Sequence, residues 1–201
     1  LLKKRIFLHK ERADGHLSKG NYCCSLDVLC IGKQSYMKTL FLIRHAKSSW
    51  KDPSLDDIDR PLNKRGKRDA PFMAKLVSGK GLRPDRLISS PAKRALTTAE
   101  YFAKALELTR KQIDIRDEIY EAAPEDIHEL IRALPEEENT ILLFGHNPTF
   151  TAIANYFSEE YIANVPTCGV VQLQADTDSW NRFDKEEGRL IAFYYPKQYF
   201  N

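Results

Sequence analysis

The stretch Leu40-Phe41-Leu42-Ile43-Arg44-His45-Ala46-Lys47-Ser48 passes from four consecutive apolar residues straight into an arginine and a histidine. An uninterrupted apolar run with Phe and Ile in it predicts a short strand buried on both faces. Arg44 and His45 then fall at its carboxyl end. In open α/β sheets, ligands bind in the crevice outside the carboxyl ends of the strands, so a fixed cation and a titratable ring delivered there are placed for chemistry.

Two later stretches repeat the arrangement. Asp85-Arg86-Leu87-Ile88-Ser89-Ser90-Pro91-Ala92-Lys93-Arg94-Ala95 is a brief strand, a Ser-Ser-Pro turn and a helix start, with Arg94 in the first turns. Serine can cap there, and proline is tolerated in a first turn. Ala92, Ala95, Leu96, Ala99, Phe102, Ala103 and Leu106 form one apolar stripe, and Arg94 lies off it. A cation at the positive end of a helix dipole is unfavourable unless an anion binds there. Thr140-Ile141-Leu142-Leu143-Phe144-Gly145-His146-Asn147-Pro148 is again an apolar strand, ending in Gly-His with a helix to follow. The three loops can meet at one edge.

Arg-His after the first strand, Ser-Pro-x-x-Arg-Ala in the middle and Gly-His after a late strand resemble the histidine phosphatase superfamily. The Leu-Ile-Arg-His-Ala-Lys-Ser run resembles in particular its SixA-type phosphohistidine phosphatases. The resemblance covers about Met37 to Tyr195 and departs at Ala46, where the superfamily usually has glycine. It implies a three-layer α/β/α sandwich around a mixed, mostly parallel sheet, the phosphoglycerate mutase-like fold. It also implies catalysis by His45, Arg44, Arg94 and His146, with Arg44, Arg94 and His146 binding phosphate and neither metal nor cofactor taking part. Singly, each residue has a plainer reading: a structural histidine, a solvated helix charge, the end of a strand. Together they describe a phosphoryl-transfer site, which needs a nucleophile and several fixed cations.

In that reading a neutral His45 attacks phosphorus and is transiently phosphorylated, after which water releases phosphate. Neighbouring arginines lower the His45 pKa and favour the attacking form, while His146 is expected to be protonated beside the dianion. Family members acting on phosphoesters usually carry a glutamate in the connection before the last catalytic strand. Glu118 and Glu121 both stand there, and neither matches that pattern clearly. A phosphohistidine leaving group needs less help than an alkoxide. The expected function is therefore hydrolysis of phosphohistidine on a protein, with a broad small-molecule phosphomonoesterase as the alternative and a phospho-ligand binding module as the reading from another class. Inorganic phosphate would be the product. Lys47 and Ser48 are further candidates for phosphate or substrate contacts, Trp50 either lines the site entrance or packs within its loop, and His9, His16 and His128 read as surface residues.

Composition bounds this reading. Of 201 residues, 42% are hydrophobic and 29% charged, enough for one sizeable core. A net charge of +3, with the positive residues interspersed among 28 acidic ones, makes no case for nucleic acid. No apolar run approaches the roughly 18 residues of a membrane span, and a cytoplasmic protein without a membrane partner is expected. Cys23, Cys24 and Cys30 have neither knuckle spacing nor more than His16 for company, which argues against zinc. Residues 1–36 lack sustained periodicity, and because the first motif usually lies within a few residues of the start in the family this chain resembles, the resemblance implies Met37 as the natural start, 1–36 as a non-native or disordered leader and the phosphatase domain at 37–201; a genuine basic extension that binds a partner is the rival reading.

Further along, the acidic loop Lys47–Asp59 should border the site. A helix is expected after Asn63, kinked at Pro71 or beginning near it. Further strands are expected at 113–115, 170–173 and 190–195, and further helices at about 124–133 and 148–157, with Asp176–Gly188 as a polar connection between the last two strands.

Overall fold

A computed structural model describes residues 37–200. The expectations placed on residues 1–36, including the leader and the Cys23, Cys24, Cys30 and His16 cluster, lie outside the described residues. One six-stranded sheet organises the rest: β1 Lys38–Arg44, β2 Arg86–Ser89, β3 Ile113–Ile115, β4 Thr140–Gly145, β5 Val170–Ala175 and β6 Gly188–Tyr194, in the spatial order β3-β2-β4-β1-β5-β6. β1 to β4 pair in parallel, and β5 pairs antiparallel with both β1 and β6. Five strands thus point one way and only β5 is reversed.

β1 is central and buried on both faces, as its apolar run requires. Leu40 and Leu42 point into one core with Ile127 and Ile131 of α3 (Pro124–Arg132) and Phe150 and Ile153 of α4 (Thr149–Tyr156). Phe41 and Ile43 point into the other, with Met73 and Val77 of α1 (Lys64–Ser78) and Ala99 and Phe102 of α2 (Lys93–Ala105). The period-two alternation of side chains explains why four consecutive apolar residues are needed. The result is the three-layer α/β/α sandwich.

Three details differ from expectation. α1 begins at Lys64, where Asn63 accepts from the Gly66 N–H at 2.9 Å, and Pro71 lies inside it rather than near its start. Gly66 has to be glycine because a Cβ there would meet the Lys47 carbonyl oxygen at 2.3 Å, so the start of α1 presses on the loop that leaves β1. The connection from β5 to β6 is not simply polar, since Trp180 and Phe183 are buried in the core beside α3 and α4. Nor is His128 a plain surface residue, because its ring packs edge-on against Tyr156 at 4.7 Å. Among the described residues, no helix is long and apolar enough to cross a membrane.

Candidate active site

Backbone hydrogen bonds stitch the three strand-end loops together. His45 N–H donates to the Gly145 carbonyl and Ser90 N–H to the Phe144 carbonyl, both at 3.0 Å. Sheet register therefore places the end of β1, the turn after β2 and the end of β4 side by side. The His45 and His146 ring centroids lie 5.1 Å apart. Gly145 is obligatory between them: a Cβ would come within 2.6 Å of the Phe150 ring.

His45 is held in one tautomer. Its Nδ1 is 2.8 Å from the Ala46 carbonyl oxygen, which can only accept, so Nδ1 carries the hydrogen and Nε2 keeps its lone pair. Ala46 itself is fully buried, and its N–H donates to Thr98 Oγ1 at 3.0 Å. The methyl that replaces the usual glycine is accommodated, and Thr98 ties this loop to α2. Burial pushes the His45 pKa down; the Ala46 bond opposes that, and Arg94, Arg44 and Arg60 add to it, leaving a value of about 4. At neutral pH this imidazole is uncharged, with its Nε2 lone pair free.

Arg44 Nη1 donates to the Val165 carbonyl at 2.7 Å and to Asn164 Oδ1 at 3.3 Å, and the same two acceptors hold the Asn147 amide. Arg94, only 5% exposed, is bidentate on one residue: Nη1 to the Asp57 carbonyl at 2.6 Å, Nη2 to Asp57 Oδ2 at 2.8 Å. The cation at the start of α2 thus already has an anion, and it is Asp57 from the acidic loop. Of the acidic residues of that loop, Asp57 is the one whose carboxylate reaches the site.

Asp57 also assembles two residues that the sequence reading left out of the site. Its Oδ1 pairs with Arg60 Nη2 at 2.9 Å, and its Oδ2 accepts from the Tyr120 hydroxyl at 3.0 Å. Burial raises the Asp57 carboxyl, but Tyr120, Arg94 and Arg60 outweigh it and hold it below its ordinary value. Arg60 is 7% exposed, with its guanidinium 3.3 Å above the ring of Trp50, which is 71% exposed. Trp50 is thereby a rim residue. The available signal for Arg60 was a lone cation ending an acidic loop; nothing local marked its reach.

His146 shares a 2.8 Å hydrogen bond between Nε2 and Ser90 Oγ. With the serine hydroxyl donating, the neutral ring carries its proton on Nδ1. Burial first, then His45 and Arg94, push its pKa down to about 3, so without a neighbouring anion it is neutral rather than protonated. A dianion alongside would raise it. The backbone of Lys47 and Ser48 is tied to the start of α1: the Lys47 carbonyl accepts from Asn63 N–H at 2.9 Å, and Ser48 forms a β-bridge to Leu62. Glu118 pairs loosely with Arg116 at 3.6 Å, whereas Glu121 lines a chamber of about 410 Å³ next to His146. Among the described residues no cluster of His, Cys, Asp and Glu suits a metal ion.

Known proteins share this architecture. The family described as the histidine phosphatase superfamily, branch 1, matches residues 40–130. A chloroplastic protein of Arabidopsis thaliana, itself uncharacterized, is 32% identical over 154 residues, 73% of this chain and 70% of that one. SixA of Agrobacterium tumefaciens superposes with a TM-score of 0.67 at 32% identity over 79% of this chain and 98% of that chain. The protein histidine phosphatase SixA complexed with tungstate gives the same TM-score at 20% identity, covering 80% of this chain and 98% of that chain, which speaks to the fold. With the sheet order, the strand-end loops and these relatives in agreement, the chain belongs to the histidine phosphatase superfamily, as a phosphatase of the SixA type.

Proposed function

We propose that this phosphatase hydrolyses phosphohistidine on a protein, without a metal, through a phosphorylated His45. One observation carries the reading. Every buried side-chain nitrogen or oxygen that lacks a partner among the described residues belongs to this site: Arg44 Nε, Arg60 Nε and Nη1, Arg94 Nε, His146 Nδ1 and Asn147 Oδ1. Buried polar groups are normally satisfied, and an orphan costs about 1–3 kcal/mol. Four of the six are guanidinium nitrogens, which can only donate, around a histidine with a free lone pair. A phosphoryl group, with three non-bridging oxygens, supplies the acceptors they lack.

The chemistry follows from these positions. Nε2 of His45 forms a bond to phosphorus as the bond to the leaving nitrogen breaks, and that electron pair stays on the departing ring, already protonated at its other nitrogen. Water then attacks phosphorus, the bond to Nε2 breaks, and inorganic phosphate departs. Arg44, Arg60 and Arg94 hold the charge that builds on the equatorial oxygens, a role a metal would otherwise take. Asp57, kept anionic, is an acceptor and not a proton donor. Glu118 is engaged with Arg116. Glu121, on the chamber wall, is the remaining candidate acid, and a labile N–P bond needs such an acid less than an alkyl ester does.

The test is phosphate release in the presence of a chelator from a phosphohistidine peptide and from an aryl phosphate, for the protein and for His45→Ala. Turnover of the peptide that survives chelation and disappears in the variant is expected. Turnover of the aryl ester alone would point to small phosphomonoesters, and activity retained by His45→Ala would overturn the mechanism.

A further inference from the structure

We infer that the chamber beside His146 receives the leaving group, and that Glu121 on its rim selects a flat, neutral or cationic leaving group, such as a nitrogen heterocycle, over an anionic one. This rests on the His45 mechanism proposed above. In an in-line displacement the leaving group departs from the side of phosphorus opposite the attacking nitrogen. The space it occupies must border the groups that hold the phosphoryl oxygens without bordering the nucleophile. The chamber does this: Arg94 and His146 form part of its wall and His45 does not.

Its size and lining describe an occupant. At about 410 Å³ it lies within the roughly 300–1,000 Å³ of small-molecule sites and is far larger than a phosphoryl group needs. Ile119, Ile127 and Phe150 make it apolar, and the Tyr120 ring stands 5.8 Å from that of His146 in an edge-on arrangement. A planar ring fits such walls.

Charge then decides which ring. The charged side chains on the wall are Arg94, Asp57 and Glu121. Arg94 and Asp57 are ion-paired at 2.8 Å, whereas Glu121 has no ion-pair partner among the described residues. The unpaired side-chain charge on the chamber wall is therefore negative, whereas Arg44, Arg60 and Arg94 are the residues with unpartnered buried guanidinium nitrogens. Two helix starts reach the wall. That of α3 is answered by Asp126, which accepts from Ala123 N–H at 2.8 Å, and by Glu125 in its first turn. That of α4 lies at Thr149, two residues past Asn147, where the chamber meets His146. The backbone that carries Glu121 is also fixed in place. It adopts φ 59°, a region that costs a non-glycine residue energy, between Tyr120, held by Asp57, and Ala122, whose carbonyl accepts from Thr149.

The experiment compares kcat/KM for N-phosphoimidazole, phenyl phosphate and 3-phosphoglycerate in the protein and in Glu121→Gln and Glu121→Lys. The protein should favour the two flat substrates. Relative to phenyl phosphate, 3-phosphoglycerate should gain about three-fold in Glu121→Gln and about ten-fold in Glu121→Lys at low salt, the sizes expected of an exposed charge removed and then reversed. A ratio is immune to partial misfolding, which lowers all three rates alike. Unchanged ratios in both variants would overturn the inference while leaving the nucleophile untouched. Turnover persisting in His45→Ala would instead overturn the mechanism beneath it.

Discussion

The two ends of β2 each carry an arginine, and their fates are opposite. At its start, Arg86 is saturated: its Nε and Nη2 donate to Glu138 at 2.6–2.9 Å and its Nη1 to Asp114 at 3.2 Å. Those hydrogen bonds to Glu138, against some burial, raise its pKa. Just past the finish of β2, Arg94 keeps an unpartnered buried Nε, as do Arg44 and Arg60, and burial lowers the pKa of Arg44. The residue type is the same and the sheet is the same; what differs is the supply of acceptors. An arginine with a full set of partners is a fastener. One left short of acceptors in a buried place is a receptor for an anion, because the donors it cannot satisfy internally are the ones a ligand will satisfy.

The comparison is broken most directly by alanine at each end. Arg94→Ala should lower kcat by roughly 10²–10³, the scale of removing one donor from a charge-stabilising site, with the fold retained by circular dichroism. Arg86→Ala should leave kcat within about three-fold, since its partners lie at the other end of the strand. Comparable losses in the two variants, per folded molecule, would show that the two ends are not distinct in function.

A second difference concerns pH. The hole contains His45 and His146 with folded-state pKa values of about 4 and about 3, against 6.5 for a free histidine. Below pH 6.5 the unfolded chain takes up protons that the folded chain refuses, so stability is expected to fall as pH drops from 6.5 towards 4. The midpoint of urea unfolding, followed from pH 7.5 to 5, should decline in the protein and less steeply in His146→Asn. Identical slopes would mean that the rings titrate normally. The Arg86 end contributes nothing in this window, because arginine stays charged.

The smallest effect belongs to the fastener. Arg86→Ala should lower the free energy of unfolding by roughly 1–2 kcal/mol, the scale of partly exposed charge-assisted hydrogen bonds, measured by urea titration at pH 7.5. A change near zero would demote the Arg86 pairs to surface ornaments.

Much of the site was legible because its parts are local. Arg44, His45 and His146 each follow a four-residue apolar run, and such a run can only be a strand interior, so the side chain after it has to emerge at a sheet end. Arg94 was legible as an electrostatic conflict at a helix start, although the anion first expected to relieve it was a phosphate and the structure supplies Asp57. Arg60, Asn147 and Thr98 were not read as site residues, since each acts through partners far along the chain: Arg60 shares a carboxylate with Arg94, Asn147 meets Asn164, and Thr98 receives the Ala46 N–H. At Pro71 the sequence left open a kink or a later start, and the structure keeps the proline inside α1, its local penalty outweighed by the buried face that Met73 and Val77 complete.

Hydrophobic period and chain order by themselves marked buried strands, helices between them, and three loops at the strand ends that carry Arg44 and His45, Arg94, and His146; those follow from the alternation of side chains and the chemistry of turns, while the mostly parallel sheet came from the family resemblance. Only the tertiary structure decided which arginines are satisfied and which are not, that one carboxylate joins Arg60, Arg94 and Tyr120, and that Glu121 rather than Glu118 faces the chamber. Those outcomes depend on distances between residues that lie tens of positions apart, and no local pattern encodes a distance across a sheet.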